Sequence, residues 1–132
     1  MRENIYTVKT KYGHVDLFDW HGYAGMSDAK RNAIINGCGP TGWKILKGIR
    51  NYILGIWVQP ACDLHDVDYE LSEPDIEDKK KADRIFHNNL YRLIDKKEDQ
   101  WFWVRALRYK KADLYFYLVV KRGGTSFWKN KN

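Results

Sequence analysis

Cysteine is scarce in this chain: there are two in 132 residues, Cys38 and Cys62, too few for a disulfide scaffold. One bridge between them would stabilise the fold by roughly 3–4 kcal/mol in the chain-entropy view, whereas a reducing cytosol would keep both as thiols. No apolar run approaches the ~18 residues needed to cross a bilayer. The opening Met-Arg-Glu-Asn-Ile-Tyr has neither the apolar segment nor the small-residue cleavage site of a signal peptide. The expectation is therefore synthesis in the cytoplasm, with any release or delivery by another route. Internal repeats and low-complexity segments are also lacking. Acid is scarce locally: residues 100–132 hold eight Lys and Arg against Asp113 alone, a balance of +7 in a chain whose total is +6, so everything before sums to −1.

What is present argues for one globular domain spanning 1–132. Apolar residues make up 44% and there are 20 aromatics among 132 residues, which excludes a disordered chain and is enough to bury a core without obligatory staples. Residues 4–18 alternate around Lys11-Tyr12-Gly13, with Tyr6, Val8, Val15 and Leu17 apolar, predicting a small β-hairpin. A short helix is expected near Ser27–Ile35. Asn36-Gly37-Cys38-Gly39-Pro40-Thr41-Gly42 reads as a loop whose backbone can turn its carbonyls inward. Residues 43–59, interrupted by Gly48 and Gly55, read as an irregular connector packed on the core. Pro60 suits the first turn of a helix over 61–71. Asp75 or Ser72 can cap a second helix running to about Asp95, with Phe86, Leu90, Leu93 and Ile94 at the helical period. A third helix is expected over 99–121, ending at Gly123-Gly124. The fold class is thus mainly α, divided into an N-terminal extension (1–35), a core (36–94) and a basic aromatic C-terminal helix and tail (95–132).

The chemistry concentrates in Pro60-Ala61-Cys62-Asp63-Leu64-His65-Asp66-Val67-Asp68-Tyr69. On a helix, Cys62, His65 and Tyr69 share one face, while Asp66 points about 100° away. Asp83 lies three residues before Phe86 and seven before Leu90, on the apolar stripe of the next helix. A buried carboxylate is costly without a partner, and His65 on the antiparallel helix is the evident one. Such a carboxylate fixes the imidazole tautomer and leaves the other nitrogen as a base. The charges of Lys79–Lys81 and Arg84 can face water. Asp66 can serve a hard cation such as Ca²⁺, which takes six to eight oxygens from carboxylates and carbonyls. Loop 36–42 can supply carbonyls if it is brought alongside, as a Cys38–Cys62 bridge would do. The plainer alternatives are an ordinary Gly/Pro turn, two unrelated thiols, and an Asp83 that only favours the helix dipole.

Cys62-x-x-His65-Asp66-x-x-Tyr69, preceded by Cys38-Gly39-x-x-Gly42 and followed by Ala82-Asp83-x-x-Phe86, resembles the phospholipase A2 superfamily over about residues 36–94. It is most similar to the small bacterial and fungal branch, and the Asp83 context is similar to the phospholipase domain of certain viral capsid proteins. The resemblance implies calcium-dependent hydrolysis of the sn-2 ester of glycerophospholipids. His65 would be the general base, Asp83 would orient it, and Tyr69 would hydrogen-bond Asp83. Asp66 and the carbonyls of Gly37, Gly39 and Thr41 would bind Ca²⁺, which with the Gly39 N–H would stabilise the oxyanion. Several features depart from the family pattern. Asp68 stands where a widely shared cysteine is found, Pro40 and Thr41 replace residues that are often glycine, the stretch between loop and helix is long, and no β-wing follows the first helix.

Other classes compete. A catalytically silent relative would bind lipid or protein with the same fold. The basic aromatic C-terminus suits an anionic phospholipid surface, where rings sit at headgroup level and cations meet phosphates. It also suits single-stranded nucleic acid, or simply a helix with a solvated basic face and an aromatic core face. An HD-type phosphohydrolase needs an upstream histidine ligand, and neither His14 nor His21 has a convincing helical context. Zinc on Cys38, Cys62 and His65 lacks a fourth ligand. His14, His21 and His87 read as surface or hydrogen-bonded histidines.

Overall fold

The computed structural model describes residues 4–34 and 51–128. The expected hairpin forms from β1 (Ile5–Thr10) and β2 (Gly13–Phe18), antiparallel with Val8 opposite Val15 and Tyr6 opposite Leu17. The period of two puts Val8, Val15 and Leu17 on the buried face. At its turn Gly13 has φ 121°, and a Cβ there would lie 2.8 Å from the Lys96 side chain. The backbone angle is what requires glycine, since the flexible end of the Lys96 side chain can move aside.

After a 3-10 turn at Tyr23–Gly25, α1 (Asp28–Ile34) matches the expected short helix. The 3-10 turn is held by Asp19, a buried carboxylate that accepts from the backbone N–H groups of Tyr23 at 2.7 Å and Ala24 at 2.9 Å. Two donors on one carboxylate satisfy its burial.

The expected irregular connector needs correction where it can be seen. Residues 51–58 contain a two-stranded hairpin, β3 (Tyr52–Ile53) with β4 (Ile56–Trp57). Its two central residues, Leu54 at φ 44° and Gly55 at φ 86°, are both left-handed, as a type I′ turn requires. Leucine is strained in that region. The Leu54 carbonyl accepts from Arg108 at 3.2 and 2.7 Å, and these charge-assisted bonds hold the turn. Buried Arg108 is therefore a structural clamp rather than part of the solvated basic face.

Three long helices form the body. α2 (Gln59–Leu71) has Pro60 in its first turn, where no N–H is needed. α3 (Ile76–Asp95) is capped by Asp75, whose side chain accepts from the Glu77 N–H at 2.9 Å. α4 (Phe102–Arg122) ends at Gly123, and the short α5 (Gly124–Trp128), not expected from the sequence, follows. Phe86, Leu90, Leu93 and Ile94 on α3 are buried as their spacing requires, packing between α2 and α4. Asn89 on α3 accepts from the Phe18 N–H at 2.9 Å and donates to the Phe18 carbonyl at 3.1 Å, which docks β2 on the helical body.

Candidate active site

α2 brings Cys62, His65 and Tyr69 to its buried face. Opposite them on α3 stands Asp83, 2% exposed, as is His65. Asp83 Oδ1 accepts from His65 Nε2 at 2.9 Å and from the Tyr69 hydroxyl at 2.5 Å. The His65 ring lies against Phe86, with centroids 4.6 Å apart, and against Tyr69 at 4.1 Å. Tyr69 in turn meets Phe127 of α5 edge-on at 5.2 Å. Tilted rings at these separations add packing specificity beyond area burial, so the imidazole is fixed by a hydrogen bond in its plane and by rings on its faces.

The second oxygen of Asp83 carries the main surprise. Lys79, expected to face water with Lys80 and Lys81, is 5% exposed, and its Nζ donates to Asp83 Oδ2 at 2.8 Å. It also reaches the carbonyls of Val119 at 3.1 Å and Val120 at 3.4 Å, in the last turn of α4. Lys80, Lys81 and Arg84 are exposed as expected. The reason Lys79 turns inward is positional: it lies one turn before Asp83 and two before Phe86, on the same stripe.

These contacts set the ionisation of the cluster. Burial pushes the Asp83 carboxyl upward, but the hydrogen bond and charge of His65, followed by the donors Lys79 and Tyr69, outweigh it and hold the group below the usual carboxylate range. Asp83 is therefore an acceptor. In the neutral imidazole that places the proton on Nε2 and the lone pair on Nδ1. Burial, with the adjacent negative charge of Asp83 and its hydrogen bond, raises Tyr69 far above a normal phenol, so its hydroxyl stays a donor.

α2 makes a second His–Asp contact. Asp68 is buried and bound through Oδ1 to His21 Nδ1 at 3.0 Å. Burial raises its carboxyl, while His21 and His65 pull it part of the way back. Its Oδ2 has no hydrogen-bond partner among the described residues, and the same holds for Asp63 Oδ1. The Asp68–His21 hydrogen bond fastens the N-terminal segment to α2. His87 is hydrogen-bonded to Asp113 at 2.8 Å and stacked on Phe116, and His14 is exposed, so the three remaining histidines have the ordinary roles expected for them.

Of the expected calcium ligands, Asp66 is half-buried on α2; Gly37, Gly39 and Thr41 lie outside the described residues. As a carboxylate Asp66 fits a hard cation, and its negative charge contributes to raising Tyr69. Among the described residues no group of three or more His, Cys, Asp or Glu side chains converges as a metal site. Cys62 is not a free thiol; its expected partner Cys38 lies outside the described residues.

At the other end of the molecule, Trp101, Phe102 and Trp103 are 73%, 83% and 54% exposed. The core face of α4 is instead Arg108, Ala112, Tyr115 and Val119, so an aromatic core face does not account for these rings. No helix among the described residues is long and apolar enough to cross a membrane. Comparison with protein-family models, curated proteins and solved structures found no match.

Proposed function

We propose that the protein is a calcium-dependent phospholipase A2-type hydrolase that cleaves the sn-2 ester of glycerophospholipids. One observation carries the reading: a buried imidazole whose Nε2 is tied to a buried carboxylate, itself braced by Tyr69. A carboxylate placed this way fixes the imidazole tautomer and leaves the other ring nitrogen as the base. With Nε2 held by Asp83, Nδ1 of His65 takes the proton of the attacking water, and Asp83 stabilises the imidazolium that forms. Tyr69 keeps the carboxylate in register. Held by Asp66 with the carbonyls of Gly37, Gly39 and Thr41, a calcium ion would supply positive charge for the oxyanion. A Cys38–Cys62 bridge would tie that loop to α2 one turn before Asp66.

The partner in this reading is an anionic phospholipid surface. Exposed Trp101, Phe102 and Trp103 at the start of α4, and exposed Lys110, Lys111 and Lys121 further along the same helix, offer rings for the headgroup region and cations for phosphate. The test is fatty-acid release from mixed phospholipid vesicles with calcium and with chelator. We expect calcium-dependent release that is lost in His65→Ala while the helical circular dichroism is retained. No release from the native protein, where a positive-control enzyme works, would favour a catalytically silent lipid- or protein-binding relative. Binding to single-stranded DNA that weakens steeply with salt and ignores calcium would favour a nucleic-acid module.

A further inference from the structure

We infer that Lys79 is a positioning residue of the His65–Asp83 pair, and that it makes the geometry of this pair depend on the C-terminal end of α4. The inference rests on the hydrolase reading for its kinetic consequence, though not for its geometry.

Three features of Lys79 oppose its placement. It is a cation in the first turns of α3 (Ile76–Asp95), near the positive end of the helix dipole. It precedes its acid partner at i,i+4, the less favourable order for such a pair. It is also almost fully buried, where lysine is rarely found unless paired. Solvation alone would place it outside. What holds it in is a set of oxygen acceptors: Asp83 Oδ2, Val119 O and Val120 O. The α4 carbonyls belong to a helix C-terminus, whose dipole favours a nearby cation; Val119 O already accepts from the Gly123 N–H at 2.9 Å, so Lys79 is a second donor to it.

The consequence for Asp83 is geometric. Oδ1 takes both His65 Nε2 and the Tyr69 hydroxyl, and these two bonds alone leave the carboxylate able to pivot about Oδ1. Lys79 on Oδ2 supplies the other fixed point and defines the carboxylate plane in which the imidazole N–H lies. It also neutralises the buried carboxylate, so that the enclosed trio carries no net charge when the imidazole is neutral. The same end of α4 closes over the trio. A Cβ on Gly123 would lie 2.7 Å from the Tyr69 hydroxyl oxygen, and Phe127 packs on the Tyr69 ring. Lys79 is thus the polar link, and Gly123 with Phe127 the steric one, between α4–α5 and the general base.

The experiment compares the wild-type protein with Lys79→Met and Lys79→Gln. Four properties are read: helical circular dichroism, kcat and KM on phospholipid vesicles, calcium half-saturation, and the downfield imidazole N–H proton resonance of His65. In Lys79→Met we expect retained helicity, a fall in kcat of at least tenfold, KM and calcium half-saturation within about twofold of wild type, and a shifted or lost N–H resonance. Lys79→Gln, which keeps a donor toward Oδ2, should recover part of kcat and of the resonance. A folded Lys79→Met with wild-type kcat and an unchanged resonance overturns the inference. Should Lys79→Met fail to fold, Lys79→Gln is read by the same four properties, and a loss of kcat no larger than its loss of helical signal assigns Lys79 a purely structural role. Absence of calcium-dependent release from the wild-type protein overturns the hydrolase reading; the resonance in the folded variants then decides the positioning claim.

Discussion

Replacing Asp63 by Asn should stabilise the protein at neutral and alkaline pH, with a gain that disappears on acidification. Asp63 is half-buried on α2, and its Oδ1 is enclosed without a hydrogen-bond partner among the described residues. Burial accordingly raises its carboxyl from 3.8 to about 6. An acid whose pKa is higher in the folded state binds its proton more tightly when folded, so its ionisation opposes folding. The cost is complete above the folded value of about 6 and is relieved as pH falls towards 3.8. A shift of roughly two units corresponds to a ceiling of about 3 kcal/mol. The carboxyl is partly in contact with solvent, which screens the penalty, so about 1–2 kcal/mol is the expected size. Urea unfolding of Asp63→Asn and wild type, in chelator, measures the difference directly. The variant should be more stable by that amount at pH 8, the gap should narrow through pH 6, and it should close near pH 4. Equal stability at pH 8, or a gap that widens on acidification, would refute the argument that the enclosed oxygen lacks a compensating partner.

Two further substitutions probe other parts of the molecule. Gly123→Ala would place a Cβ 2.4 Å from the Val119 carbonyl oxygen and 2.7 Å from the Tyr69 hydroxyl oxygen; the α4–α5 junction must shift, and the urea midpoint should fall by the equivalent of about 1–3 kcal/mol. Trp101→Ala with Trp103→Ala removes two rings that are 73% and 54% exposed. Partition onto anionic vesicles in a sedimentation assay should drop tenfold or more, since losing ~1.4 kcal/mol of ring insertion is enough for that, while the urea midpoint stays within about 0.5 kcal/mol of wild type.

The helical body and the His65–Asp83 contact were legible because each rests on a local rule. The 3.6-residue spacing of Phe86, Leu90, Leu93 and Ile94 defines the buried stripe of α3, Asp75 supplies the cap, and Asp83 falls on the stripe. A carboxylate on an apolar stripe needs a partner, and His65 one helix earlier was within reach. The β3–β4 hairpin was hidden because Leu54 occupies a left-handed position that turn statistics reserve for Gly, Asn and Asp. What permits it is the double hydrogen bond from Arg108 to the Leu54 carbonyl, 54 residues further along. α5 was hidden because Gly123-Gly124 reads as a stop, whereas the chain turns there and continues for five helical residues.

Lys79 and Asp68 show why the charged part of the site was harder to read than its apolar part. The stripe rule that turns Asp83 inward applies equally to Lys79, four residues earlier, but a Lys-Lys-Lys run reads as a solvated face. Burial of an apolar side chain is favourable by itself, so its position in the period is sufficient evidence. Burial of a charge is favourable only with its partners counted, and the partners here are remote: Val119 and Val120 for Lys79, His21 for Asp68. None of these pairings leaves a periodic trace. Asp68 adds a further step, because its contact with His21 fastens the N-terminal segment to α2 across 47 residues of sequence. The clue available in sequence was joint: a histidine near the hairpin with no helical setting, and an aspartate on the buried side of α2 two residues from Asp66.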